Sequence, residues 1–264
     1  MFRKRRLAGL GVGALFLASL VPAPATAVAV AGGDKLYTTD ADFDQGTLVD
    51  VNHDSPNNNQ LQLDQVTTPF PFVNVAASGR GTAVRINVDT GQIVGEYRTA
   101  PAGQAANPSR TTVDKLGNVW VTNRDQSSGG KGSVARIGIV QGGTRTLADG
   151  TPDPTGQFLS GPFAYNTCLD RDSDGLLRTS LGLANILPWT NAGGVDTNGG
   201  VATAQDECII NYTRVTGTNA RTVAVDSNND VWVGGLGNLN HEKLSGATGQ
   251  PISGTQFNLG CGGY

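Results

Sequence analysis

Two stretches of this chain, VDKLGNVWVTN (113–123) and VDSNNDVWVGG (225–235), repeat one pattern: Val-Asp, a four-residue polar turn, then Val-Trp-Val. A second element recurs in three forms. TAVRINVDTGQIVG (82–95) resembles SVARIGI (133–139) and EKLSGATGQPIS (242–253), with Arg85-Ile86 aligned on Lys243-Leu244 and Thr90-Gly91-Gln92 on Thr248-Gly249-Gln250. Each copy reads as a short strand, an Asp/Asn/Gly turn and a further strand, because β-branched and aromatic residues alternate with residues that tolerate tight backbone bends. Repetition at this scale implies that one supersecondary unit is used several times, each copy burying its apolar face against the next.

The remaining chain fits the same grammar. Runs such as FVNVAA, QIVGEYRT and CIINYTRV are short, rich in Val, Ile, Thr and aromatics, and bounded by turns. With 37 glycines and no long 3.6-residue periodicity after the first segment, the chain reads as all-β. Units of four short antiparallel strands, about 45 residues each, predict a β-propeller of four-stranded blades. The expected blades fall near 33–66, 67–106, 107–160 and 211–257, with 161–210 as an insertion. Propellers typically close with about four to eight blades. Four blades followed by NLGCGGY predict an incomplete ring, either from truncation of a longer relative or with the N-terminal segment completing the last blade.

The repeats VDKLGNVWVTN and VDSNNDVWVGG resemble NHL-type and streptogramin-lyase-like propellers, in which a D-x-x-G-N-x-W/V-V core marks each blade. The resemblance covers 107–140 and 219–255 well and 33–105 loosely. It implies a propeller fold but no single activity, since that family mixes lyases, hydrolases and binding modules. The streptogramin lyases' histidine and metal-binding glutamate have no residue-by-residue match here.

The N-terminus reads as an address rather than as structure. MFRKRR precedes the apolar run LAGLGVGALFLASLV and the small-residue stretch APATAVA, the pattern of a bacterial secretory signal peptide over residues 1–27. The mature chain, 28–264, is expected outside the cell, with no membrane attachment after cleavage. Cleavage removes Arg3, Lys4, Arg5 and Arg6, four of the 19 basic residues, and none of the 22 acidic ones, leaving a formal charge of −7. Such a chain without a basic cluster is a poor partner for nucleic acid, whose binding depends on neutralising phosphates.

The insertion carries the most pointed chemistry. CLDRDSDG (168–175) sets Asp170, Asp172 and Asp174 on alternating positions before Gly175, the first half of a D-x-D-x-D-G calcium loop. Leu176 would add a carbonyl oxygen. Position 181, where an EF-hand needs its glutamate, is Leu181, so further carboxylates must come from elsewhere. Asp206 and Glu207 are adjacent to Cys208, as Asp170 is near Cys168. A Cys168–Cys208 bridge would bring the two acidic groups together, since bridged Cα atoms lie within about 7 Å. The expected cofactor is therefore Ca2+, held by Asp170, Asp172, Asp174, Leu176, Asp206 and Glu207, with Cys261 left over as a thiol. The alternative is a solvated acidic turn.

Catalytic signals are sparse. His53 reads as a solvated loop residue, and His241-Glu242 follows the second V-W-V strand, where it could reach a ring face. Trp120 and Trp232 are equivalent blade residues that read as packing, and Trp189 as part of a local core, the alternative being a ring that stacks on a ligand. The sequence thus favours an exported calcium-stabilised propeller that binds an extracellular ligand or protein. The alternative is a lyase or lactonase-type hydrolase with His241 and Glu242 at its active face.

Overall fold

The computed structural model describes residues 36–45, 51–53, 55, 58–63, 70–125, 130–190 and 205–263. The expected signal peptide and the middle of the insertion, 191–204, lie outside these residues. The chain divides into two units, 1–67 and 68–264. In the first, helix α1 (Asp40–Phe43) starts at Thr39, whose hydroxyl accepts from the Asp42 N–H while the Asp42 carboxylate accepts from Thr39, a reciprocal cap. Strands β1 (Val51–Asn52) and β2 (Gln62–Leu63) pair antiparallel. Where a four-stranded blade is expected over 33–66, the described residues hold this short helix and hairpin.

Among the described residues the second unit is built from four antiparallel sheets. Strands β3 (Phe72–Ala77), β4 (Thr82–Asn87) and β5 (Ile93–Arg98) form a three-stranded meander. Next come β6 (Pro108–Val113), β7 (Val119–Asn123) and β8 (Lys131–Ile137). The chain then leaves this sheet to make β9 (Val140–Thr144), β10 (Phe158–Asn166) and β11 (Leu176–Arg178), a sheet of its own in the order β11-β10-β9. It returns as β12 (Ile209–Thr218), which pairs with β8 and completes a four-stranded sheet β12-β8-β7-β6. Strands β13 (Ala220–Val225), β14 (Val231–Gly235), β15 (Asn240–Leu244) and β16 (Phe257–Asn258) close the chain as a second four-stranded sheet. Grouping by pairing therefore differs from grouping in chain order. The blade expected over 107–160 takes its last strand, β12, from near the end of the expected insertion, and that insertion shares with it a sheet that straddles residue 160.

The repeats seen in the sequence fold alike. In the first, the Asp114 N–H donates to the Asn118 carbonyl at 2.9 Å; in the second, the Asp226 N–H donates to that of Asp230 at 2.8 Å. Gly117 and Asn229 occupy the same turn position, with φ of 79° and 65°. That left-handed backbone is one that glycine adopts freely and asparagine tolerates. Gly91 and Gly249, with φ of 70° and 72°, likewise make the equivalent TG turns.

The central sheet is covered on both faces, which explains why V-W-V reads as continuous burial. Val119, Val121 and Ile137 pack with Ala83, Tyr97, Leu159, Leu177 and Tyr212. Trp120, between Val119 and Val121, points the other way and joins Val134, Val215, Val231, Val233 and Leu244. Successive side chains on a strand face opposite sides, so each side of β7 supplies a separate core. Trp120 is fully buried, whereas its counterpart Trp232 is half-buried and lies beside Phe257. Trp189, buried with its ring edge-on to Tyr212, belongs to the first core, as expected of it.

Candidate functional site

A disulfide joins Cys168 to Cys208 across 40 residues of sequence, with Cα atoms 4.3 Å apart. Around it the two ends of the acidic segment are laced together. The Leu169 N–H donates to the Glu207 carbonyl at 2.9 Å, and the Glu207 N–H donates to that of Arg178 at 2.8 Å. Cys261 is a free, exposed thiol.

The aspartate loop bends on itself. Asp170 accepts from the Gly175 N–H at 3.0 Å, Asp172 from the Asp174 N–H at 3.3 Å, and Asp174 from the Leu176 N–H at 2.8 Å. Two residues sit in the left-handed region, Ser173 at φ 62° and Gly175 at φ 82°. Gly175 was marked by the sequence as the bend; Ser173 was not.

Asp170, Asp172 and Glu207 bring one carboxylate oxygen each to within 4.8 Å of one another. Oxygens bound to a single calcium at about 2.3–2.6 Å can lie no more than roughly 5 Å apart, so this trio matches the span of one coordination sphere. Asp170 and Asp172 are exposed, while Glu207 is buried. The Glu207 carboxylate accepts from the N–H groups of Arg171 and Arg178, each at 2.7 Å, which fixes its orientation. Burial pushes the Glu207 carboxyl up, and the negative charges of Asp172 and Asp170 add to that effect. Those charges favour a cation among them. Arg171 lies within the loop but directs its guanidinium to the backbone carbonyls of Asp206, Ile209 and Ile210.

The other expected ligands are placed differently. Asp206 is 1% exposed and faces inward: it accepts from the Thr179 hydroxyl at 3.0 Å, the Ser180 N–H at 3.1 Å, the Ser180 hydroxyl and the Cys208 N–H at 3.0 Å. Burial raises its carboxyl above the usual range despite these bonds. Asp174 caps the start of β11 from the exposed end of the loop. Leu176 opens β11 with its side chain buried.

The catalytic candidates are bonded into the sheet. Glu242 is 1% exposed; its carboxylate accepts from the Thr216 N–H and from Gln256. His241 has its Nδ1 3.1 Å from the Leu239 carbonyl. Being successive strand residues, His241 and Glu242 face opposite sides of the sheet. In the first unit, His53 lies between Asp40 and Asp44, at 3.2 and 3.0 Å, in place of the solvated position expected for it.

No family model and no curated protein matches the chain. Among solved structures, a protein of unknown function from Bacteroides caccae is similar at 15% identity, covering 72% of this chain and 74% of that one, with a TM-score of 0.20. The likeness to NHL-type and streptogramin-lyase propellers therefore rests on the repeat motif alone.

Proposed function

We propose that this chain is an exported binding module, a propeller-like fan of sheets whose long excursion is organised by a calcium ion. The observation that carries the reading is the meeting of Asp170, Asp172 and Glu207 beside the Cys168–Cys208 bridge. In this reading the four sheets are blades, and Asp170, Asp172 and Glu207 are the carboxylate ligands, with Asp174 and the Leu176 carbonyl at the loop's far side. Asp206 braces the fold behind them. The bridge fits an oxidising compartment, in keeping with export. Among the described residues no helix is long and apolar enough to cross a membrane. Binding is favoured over catalysis because Glu242 is committed to the sheet, where its carboxylate accepts a backbone N–H.

Calcium would act structurally. Pinning the excursion at its acidic end lowers the conformational entropy it would otherwise retain, and an extracellular site of about 10⁻⁴–10⁻³ M affinity would be filled. Thermal unfolding of the mature chain in calcium and in chelator is the test. Calcium should raise the Tm, magnesium should do so far less, and identical melting in calcium and chelator would overturn the reading.

A further inference from the structure

The repeats place a cation at one equivalent position in three sheets: Arg85 on β4, Arg136 on β8 and Lys243 on β15. Two of the three are neutralised. Arg136 lies 3.2 Å from Asp114, and Lys243 lies 2.7 Å from Asp226 and 3.0 Å from Asp230. The strand opposite each carries a tryptophan, Trp120 or Trp232, at the paired position.

Arg85 breaks the rule. Its cross-strand neighbour is Asn74. Its Nε donates to the Asn74 side chain at 3.1 Å and its Nη1 to the Gly138 carbonyl at 2.7 Å, both neutral acceptors. Nη2 is buried and has no hydrogen-bond partner. Among the described residues no carboxylate pairs with this guanidinium, although Arg85 is only 3% exposed. Its planar head lies over the rings of Tyr97 at 5.3 Å and Phe72 at 6.0 Å. A buried charge is strongly disfavoured unless it is paired, so the site is incomplete without an anion.

There is room for one. Arg85 lines a cavity of about 460 Å3, within the size range of small-molecule sites. Arg145, on the same cavity wall, also has a buried nitrogen, Nη1, without a partner. Burial disfavours the charge on Arg145, and the fields of Tyr97, Asp153 and Asp206 only partly counter it. Thr179 and Ser180 line the same space, and their hydroxyl hydrogens are committed to Asp206. The Ser180 oxygen also accepts from the Leu187 N–H at 3.0 Å, and the Thr179 hydroxyl is hydrogen-bonded with Tyr97, so both are satisfied within the fold. Phe72 and Tyr97 add apolar wall of the kind that covers a ring face.

We propose that this cavity binds a small carboxylate, with Arg85 as its anchor and Arg145 as its second contact. Such a ligand deepens the binding-module reading, on which it rests only for the claim that the chain works by binding. Bidentate capture by a planar guanidinium suits a carboxylate.

Calorimetric titration of the full mature chain with D-glucuronate, D-glucose and inorganic phosphate, in a carboxylate-free buffer, tests the assignment. Glucuronate should saturate one site, with glucose and phosphate about tenfold weaker or worse. Arg145→Gln should weaken glucuronate about tenfold, and Arg85→Gln should abolish it. Should Arg85→Gln fail to fold, Arg145→Gln decides. No saturation by millimolar glucuronate, equal binding of glucose, tighter binding of phosphate, or unchanged affinity in Arg145→Gln would each overturn the assignment. Calcium-dependent melting of the same sample reports separately on the cation site, so failure of one is distinguishable from failure of the other.

Discussion

Asp206 and Glu207 are neighbours in the chain, and their carboxylates serve opposite sides of it. Glu207 accepts from the backbone of Arg171 and Arg178 beside Asp170 and Asp172, while Asp206 turns into the interior to hold Thr179 and Ser180. One acidic dipeptide therefore contributes one residue to the carboxylate cluster and braces the wall of the arginine cavity with the next.

The two roles should separate by mutation. Glu207→Gln should remove the calcium-induced rise in Tm, because a ligand of the trio is lost. Asp206→Asn should keep that rise but lower stability by about 1–3 kcal/mol, the cost of disturbing a buried hydrogen-bonded group. Melting curves of both variants, with calcium and with chelator, check the division. Loss of the calcium effect in Asp206→Asn would count against it.

Removing the bridge should weaken fold and cation site together. The loop closed by Cys168 and Cys208 predicts a stabilisation of about 3–4 kcal/mol in the chain-entropy model. A Cys168→Ala/Cys208→Ala double variant should lose about that much in urea unfolding, and its calcium midpoint should move to higher concentration. Stability unchanged in the double variant would show that backbone bonds such as Leu169 to Glu207 suffice to hold the ends.

The repeated aspartates should differ in cost. Asp114 accepts from the Trp120 indole N–H at 2.9 Å and pairs with Arg136, both buried. Asp114→Ala strands a buried cation and should cost about 3–5 kcal/mol. Asp226→Ala leaves Asp230 on Lys243 and should cost much less. Denaturant unfolding of the two variants gives the ranking directly.

Acid should act on the second repeat in a stated direction. Burial pushes the Asp226 carboxyl up, but the Lys243 ammonium and the N–H groups of Asp230 and Asn228 outweigh it and hold it below its ordinary value. A carboxyl lowered by folding contributes stability above its unfolded pKa of about 3.9, and that contribution is lost as pH falls through the lower folded value. Asp226→Asn should therefore flatten the stability profile below about pH 4. Urea midpoints measured across that range, for wild type and variant, show whether the slope changes.

Much of this could be read in advance from local signals. The turns at Asp114 and Asp226 were legible because the residues that make them, Gly117 and Asn229, are among the few that accept a positive φ. The Cys168–Cys208 pairing followed from the acidic residues that flank both cysteines. Non-local choices were hidden. That β12 pairs with β8 depends on an excursion longer than either repeat. Asp206 and Glu207 lie in the turn that leads into β12, and reading them as one acidic pair overlooked that their side chains part there. Arg85 had a signal that went unread: it aligns with Lys243, yet no Val-Asp turn precedes its strand to supply a counter-charge.

The late return of β12 has a consequence for a chain made from one end. Strand β8 has its outer partner only after the roughly 70 residues that separate Ile137 from Ile209. At about 5–20 residues per second, synthesis leaves that edge bare for several seconds, exposing a row of open donors and acceptors to any neighbouring strand. Newborn copies are thus most prone to stick to one another in that interval, and slower threading lengthens it.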